Sequence, residues 1–192
     1  MSDPLIVHGP WASILRVLLP SPSIVAESSF NANIISVTSL YGGTVNLFNV
    51  HLKNLGIEVT FVEPDASEEE ILSLAKENTK AIYGETIGNP GLNILDFDKF
   101  SSVAKKIQVP LIIDNTVATP YHCNPFEHGA NIVVHSTTKY SEGHAQTIGG
   151  IVVDGGNFDW TNGKFNDFTT PDPSYHGLKY VESFGQAAYI VK

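Results

Sequence analysis

Lys139 closes the run Ser136-Thr137-Thr138-Lys139, which stands directly behind the apolar stretch "NIVVH". A primary amine in that place can attack an aldehyde and hold it covalently, and hydroxyls beside it can donate to a phosphate. The same residues in a surface loop would be a solvated charge and local caps. Three other apolar runs end in groups able to work with the amine. Tyr41 follows "NIISVTSL", Glu85 and Asn89 stand at and just beyond the end of "KAIYGE", and Asp114 and Asn115 close "PLIID" and its exit. Each has a plain structural role open to it. Asp114 suits a turn or cap, Asn89 before Pro90 suits a turn, and Tyr41 can pack over the two glycines that follow it. Four strand ends carrying an aromatic, an amide, a carboxylate, hydroxyls and an amine would nevertheless assemble a site if the strands are neighbours. In an open α/β sheet, ligands bind beyond the carboxyl ends of the strands.

Other chemistries are poorly supplied. His122, Cys123, His128, His135 and His144 fall within a short span, but without the paired spacing of a metal site, so no metal is expected. No G-x-G-x-x-G follows a strand pattern, and Gly163-Lys164 lacks the upstream glycine and the following hydroxyl of a phosphate loop.

The elements that must position these groups alternate. "NIISVTSL", "IEVTFV", "KAIYGE", "PLIID", "NIVVH" and "GGIVV" read as strands. Between them, Val45, Phe48, Leu52 and Leu55 share a helical face that Gly56 can close. Ser67 and Glu70 form a capping box ahead of Ile71, Leu72, Leu74 and Ala75. Asp96 caps a stripe of Phe97, Phe100, Val103, Ala104 and Ile107. Tyr180, Phe184, Ala188 and Val191 predict a last helix. Strands alternating with helices predict an α/β fold, a mostly parallel sheet covered by helices. Continuous apolar runs suit strands buried on both faces.

Composition narrows the function classes. The chain has 192 residues, of which 42% are hydrophobic, enough for a core of ordinary size. A net charge of -9 argues against nucleic acid or an anionic membrane as partner. A single cysteine, Cys123, allows no internal disulfide and favours a reducing, cytoplasmic setting. The apolar run Ile14 to Leu19 is interrupted by Arg16 and closed by Pro20, so neither a targeting signal nor a spanning helix is expected. Residues 1–31, with Pro4, Pro10, Pro20 and Pro22, read as an irregular leader, and residues 32–192 as the α/β domain.

The motifs "LYGGTVNLF", "ETIGNP", "PLIIDNTVATPY", "ANIVVHSTTKY" and "PDPSYHGL" together resemble the pyridoxal-phosphate-dependent enzymes of cysteine and methionine metabolism. Within them, "YGGT", "ETIGNP" and "PDPSYHG" are most similar to the O-acetylhomoserine sulfhydrylase branch rather than to the cystathionine synthases and lyases. The resemblance implies the large cofactor domain of the aspartate-aminotransferase-like, fold type I enzymes. It implies pyridoxal 5'-phosphate bound as a Schiff base on Lys139, with Asp114 facing the pyridine nitrogen and Tyr41 stacked on the ring. Ser136 and Thr138 would then donate to the phosphate and Asn89 to the ring hydroxyl, leaving Glu85 and Asn115 as outer supports. The implied reaction is γ-replacement, in which an amino-acid substrate, O-acetylhomoserine, and a sulfur donor give homocysteine or methionine and acetate. A homo-oligomer, a dimer-based tetramer, is the implied assembly.

The sequence departs from the family pattern at Thr137, Val117, Glu142 and Ala145, the last two altering a glycine-rich run beside the lysine. The upstream Tyr-x-Arg segment, the Ser-Gly phosphate loop and the C-terminal domain with its carboxylate-binding arginine have no counterpart; "VAESSFN" occupies the place of the loop. These departures predict weak cofactor binding and little turnover, leaving a truncated inactive cofactor domain, or a non-catalytic α/β binding module, as the alternatives.

Overall fold

The structure, a computed structural model, describes residues 31–144 and 146–192. The readings placed on the leader up to residue 30, on "VAESSF" and on Ala145 lie outside the described residues.

All six predicted strands form. They are β1 (Ala32–Val37), β2 (Ile57–Val62), β3 (Thr79–Glu85), β4 (Leu111–Asp114), β5 (Ile132–His135) and β6 (Ile151–Asp154), joined in one sheet of order β2-β1-β3-β4-β5-β6. The pairs from β2 through β5 are parallel, and β6 runs antiparallel to β5. Among the described residues no helix intervenes between β5 and β6, and the chain returns antiparallel beside β5 without the helical crossover usual for a parallel neighbour. The central strands are buried on both faces, throughout β1 and β5, as their unbroken apolar runs require. The outer strands β2 and β6 are partly exposed.

Helix α1 starts at Gly42–Asn46 and continues as π-helical turns over Leu47–Leu52. Phe48 and Leu52 are buried, whereas Leu55 lands in the exposed turn that Gly56 closes at φ +76°. The expected stripe therefore ends one residue early, because the wider turns change the angular spacing. Helices α2 (Glu68–Ser73) and α3 (Phe97–Lys106) carry the expected caps. Ser67 Oγ accepts from the Glu70 amide at 3.2 Å, and Asp96 Oδ1 from the Lys99 amide at 3.1 Å. Phe100, Val103 and Ala104 of α3 are buried against the sheet. Phe48 meets Tyr83 edge-on with ring centroids 5.1 Å apart, joining α1 to the centre of the sheet. A short α4 (Thr119–His122) follows β4.

The last predicted helix is corrected. It is two short helices, α5 (Tyr180–Phe184) and α6 (Ala188–Val191), separated at Gly185, whose φ of +54° breaks the helical path. Tyr189, not Val191, is the buried anchor, and its ring stacks on Trp160 at 5.2 Å and 6°.

The strand order matters for function. β1 lies between β2 and β3, so the chain winds outward in one direction to β2 and in the other from β3 to β5. The crevice at such a reversal lies between the ends of β1 and β3, where open α/β sheets bind ligands.

Candidate active site

The parallel register brings the four predicted strand ends to one edge of the sheet. Tyr41 immediately precedes α1, and its carbonyl accepts from the amides of Thr44 and Val45 at 2.8 and 3.1 Å, which starts the helix. Its ring is about half exposed, and Lys139 Nζ stands 5.7 Å from the ring centroid, within cation–π reach. Gly43 permits that ring position, since a Cβ there would meet Tyr41 Cε1 at 2.6 Å.

At the end of β3, Glu85 is 5% exposed and its Oε1 accepts from the Tyr41 amide at 2.8 Å. The Asn89 backbone also favours the ionised form of this carboxylate. Burial pushes the Glu85 carboxyl up to about 7, opposed by the Tyr41 amide and the Asn89 backbone and reinforced by the nearby Asp114 charge. The following loop turns through a cis Asn89-Pro90 bond and is tied back to the β1 exit by a hydrogen bond between Ser39 Oγ and Asn93 Oδ1.

Asp114 is the register partner of Glu85. Burial raises its carboxyl, and donation to Oδ1 from the hydroxyl and amide of Thr116 works against that rise. Tyr83 Oη makes a long contact of 3.4 Å with Oδ2, and burial beside these two carboxylates raises the phenol well above its usual range. His135, at the end of β5, is buried; desolvation lowers its imidazole while the Asp114 charge pulls the other way.

Asn115 is fully committed to holding the chain. Its Oδ1 accepts from Thr86 Oγ1 at 2.7 Å, and its Nδ2 donates to the carbonyls of Thr119 and Cys123 at 3.1 and 2.9 Å. Ser136 is tied to the β4 exit, its amide donating to Thr116 Oγ1 at 2.8 Å. Lys139 is exposed, in the turn started when its amide donates to the Ser136 carbonyl at 3.2 Å. The Thr138 hydroxyl donates to Gly149 O at 3.1 Å and accepts from Gly149 N at 2.9 Å, fastening the lysine loop to the approach of β6.

The expected aromatic, amine, carboxylate, amide and hydroxyls thus stand on neighbouring strand ends. Thr116, Tyr83 and His135 were missed. Thr116 was legible as the hydroxyl two residues past an aspartate, a common local turn pattern. Tyr83 and His135 had no such signal, because only the alignment of β3, β4 and β5 sets them beside Asp114. Among the described residues, no cluster of three or more His, Cys, Asp or Glu could hold a metal, and no helix is long and apolar enough to cross a membrane.

Comparison with known proteins specifies the fold. The family described as Cys/Met metabolism PLP-dependent enzyme matches residues 23–177, beginning ahead of the expected domain start at Ala32. O-acetyl-L-homoserine sulfhydrylase of Leptospira meyeri is 53% identical over 153 residues, covering 80% of this chain and 34% of that protein. The homocysteine/cysteine synthase of Saccharomyces cerevisiae is 49% identical over 162 residues, covering 83% of this chain and 36% of that protein. Among solved structures, the protein assigned as O-acetylhomoserine (thiol)-lyase of Campylobacter jejuni, which holds N'-pyridoxyl-lysine-5'-monophosphate, superposes with a TM-score of 0.83 at 34% identity. That match covers 95% of this chain and 44% of the other. The chain thus spans about a third of the length of the curated relatives it matches. A family model over most of the chain, relatives about half identical and a shared fold type I sheet agree: the chain belongs to the Cys/Met metabolism PLP-dependent enzymes.

Proposed function

We propose that this chain supplies the cofactor domain for a γ-replacement in which O-acetylhomoserine and sulfide or a thiol give homocysteine or methionine and acetate. The observation that carries the reading is the placement of Lys139 Nζ 5.7 Å from the Tyr41 ring centroid, with the half-buried Asp114 carboxylate on a neighbouring strand end. Relatives about half identical over most of the chain, named as O-acetylhomoserine sulfhydrylase and homocysteine synthase, support it.

The donor set suits pyridoxal phosphate. Asp114 is a carboxylate that burial drives toward protonation, so a protonated pyridine nitrogen is the positive partner that keeps it ionised. When bound, the cofactor supplies an electron sink for negative charge formed on the substrate carbons. Lys139 would provide the amine that joins the aldehyde and, once displaced by the substrate amine, would move protons at the α and β carbons. Asp114 would hold the proton on the ring nitrogen, and Tyr41 would pack on the ring, a contact worth roughly 1 kcal/mol. Asn89 would donate to the ring hydroxyl. Ser136 would hold the phosphate, while Thr138 serves chiefly to hold the loop, since its hydroxyl must leave Gly149 O before it can donate elsewhere. In the overall reaction the γ C–O bond breaks, acetate departs with the electron pair, and a C–S bond forms. A cytoplasmic homo-oligomer is the setting we propose.

The test is the visible absorbance of the purified chain with added pyridoxal phosphate, measured beside Lys139→Ala. A band present in the parent and absent in the variant is expected, and identical spectra would sink the assignment. Acetate release from O-acetylhomoserine in the presence of sulfide distinguishes the proposed reaction from a cystathionine-forming relative.

A further inference from the structure

Glu85 is a carboxylate in an expensive place. It is 5% exposed, it lies directly beside a second carboxylate in the strand register, and burial opposes its ionisation. A glutamine or an apolar residue would end β3 at lower cost unless the charge is needed. What it contacts shows the need. One oxygen receives the amide of Tyr41 at 2.8 Å, and the Asn89 backbone also favours the charged carboxylate. Tyr41 lies beyond β1 and Asn89 beyond β3, the two strands that flank the reversal of the sheet. A single side chain at the end of β3 therefore fixes the backbone of Tyr41 beyond β1, whose ring the proposed reading sets against the cofactor ring.

We infer that Glu85 is a positioning residue that sets the plane of the bound cofactor by holding the backbone amide of Tyr41 across the gap between the ends of β3 and β1. This rests on the cofactor assignment above. A carboxylate suits the task because it binds a backbone N–H more strongly than a neutral acceptor does. A glutamine keeps a neutral acceptor for the Tyr41 amide and loses the charge. Backbone anchoring also leaves the Tyr41 side chain free to meet a ligand, in keeping with its exposure.

The experiment titrates pyridoxal phosphate into the full chain and into Glu85→Ala and Glu85→Gln. It records the dissociation constant, the visible circular dichroism per bound cofactor, and the thermal midpoint of each cofactor-free protein. The expected result is a dissociation constant raised about tenfold or more in Glu85→Ala and about threefold in Glu85→Gln, with the visible dichroism reduced in the same order. Affinity and dichroism within twofold of the parent would overturn the inference. So would weaker binding with unchanged dichroism per bound cofactor and a lowered midpoint, the pattern of a merely structural residue. If Glu85→Ala does not fold, Glu85→Gln is read by the same criteria. Absence of a Lys139-dependent band in the parent would instead refute the cofactor assignment itself, so the two failures are distinct.

Discussion

Raising the pH from 5 to 8 should destabilise the cofactor-free chain through Glu85, and the size of the effect follows from its surroundings. The folded protein holds this carboxyl at about 7, against an ordinary 4.5. Between those values the folded state binds more protons than the unfolded chain, so stability is greatest below 4.5 and is lost as pH rises through 7. At about 1.36 kcal/mol for each pKa unit, the difference between pH 5 and pH 8 is about 2.5 kcal/mol, reduced to about 1.5–2 by water at the rim of the site. Other groups bear on the measurement. Burial lowers His135, which contributes in the opposite sense, and Asp114 and Tyr83 face the same carboxylate. The informative quantity is therefore the difference between the parent and Glu85→Gln, whose side chain carries no proton in this range. Urea unfolding of both proteins at several pH values should show the parent losing about 1.5–2 kcal/mol relative to the variant as pH rises. A parallel pair of stability curves, or a gap that changes in the other direction, would refute the claim that a buried ionisable carboxyl closes β3.

Two further substitutions probe the frame around the site. Thr116→Val keeps the shape of the side chain but strips the Ser136 amide of its acceptor and Asp114 of a donor. It should cost about 1–3 kcal/mol in urea unfolding and move the Asp114 carboxyl further up, as carbon-detected NMR titration would show. Phe100→Ala removes a ring that is 1% exposed between α3 and the sheet and should cost about 3–5 kcal/mol, read as a lowered midpoint in urea.

Much of the fold was legible because local physics decides it. The β-branched and apolar runs that became β1, β3, β4 and β5 bury on both faces, and side chains of that kind have few other ways to leave water. Ser67 and Asp96 announced α2 and α3 because a capping oxygen needs only a donor three residues away. The terminal stripe misled, since periodicity cannot tell that Gly185 takes a positive φ or that Trp160 will attract Tyr189.

The same division runs through the site. The order of residue types along the chain determined that an amine, a carboxylate, an aromatic, an amide and hydroxyls would each follow a strand, because strand ends are marked by local turn chemistry. Only the tertiary structure decided that β1 and β3 flank the reversal of the sheet, that Glu85 and Asp114 stand in register, and that Lys139 hangs over Tyr41. These are contacts between residues tens of positions apart. They follow from the pairing of strands across the sheet, which depends on how all the apolar faces are buried together and is written in no single segment.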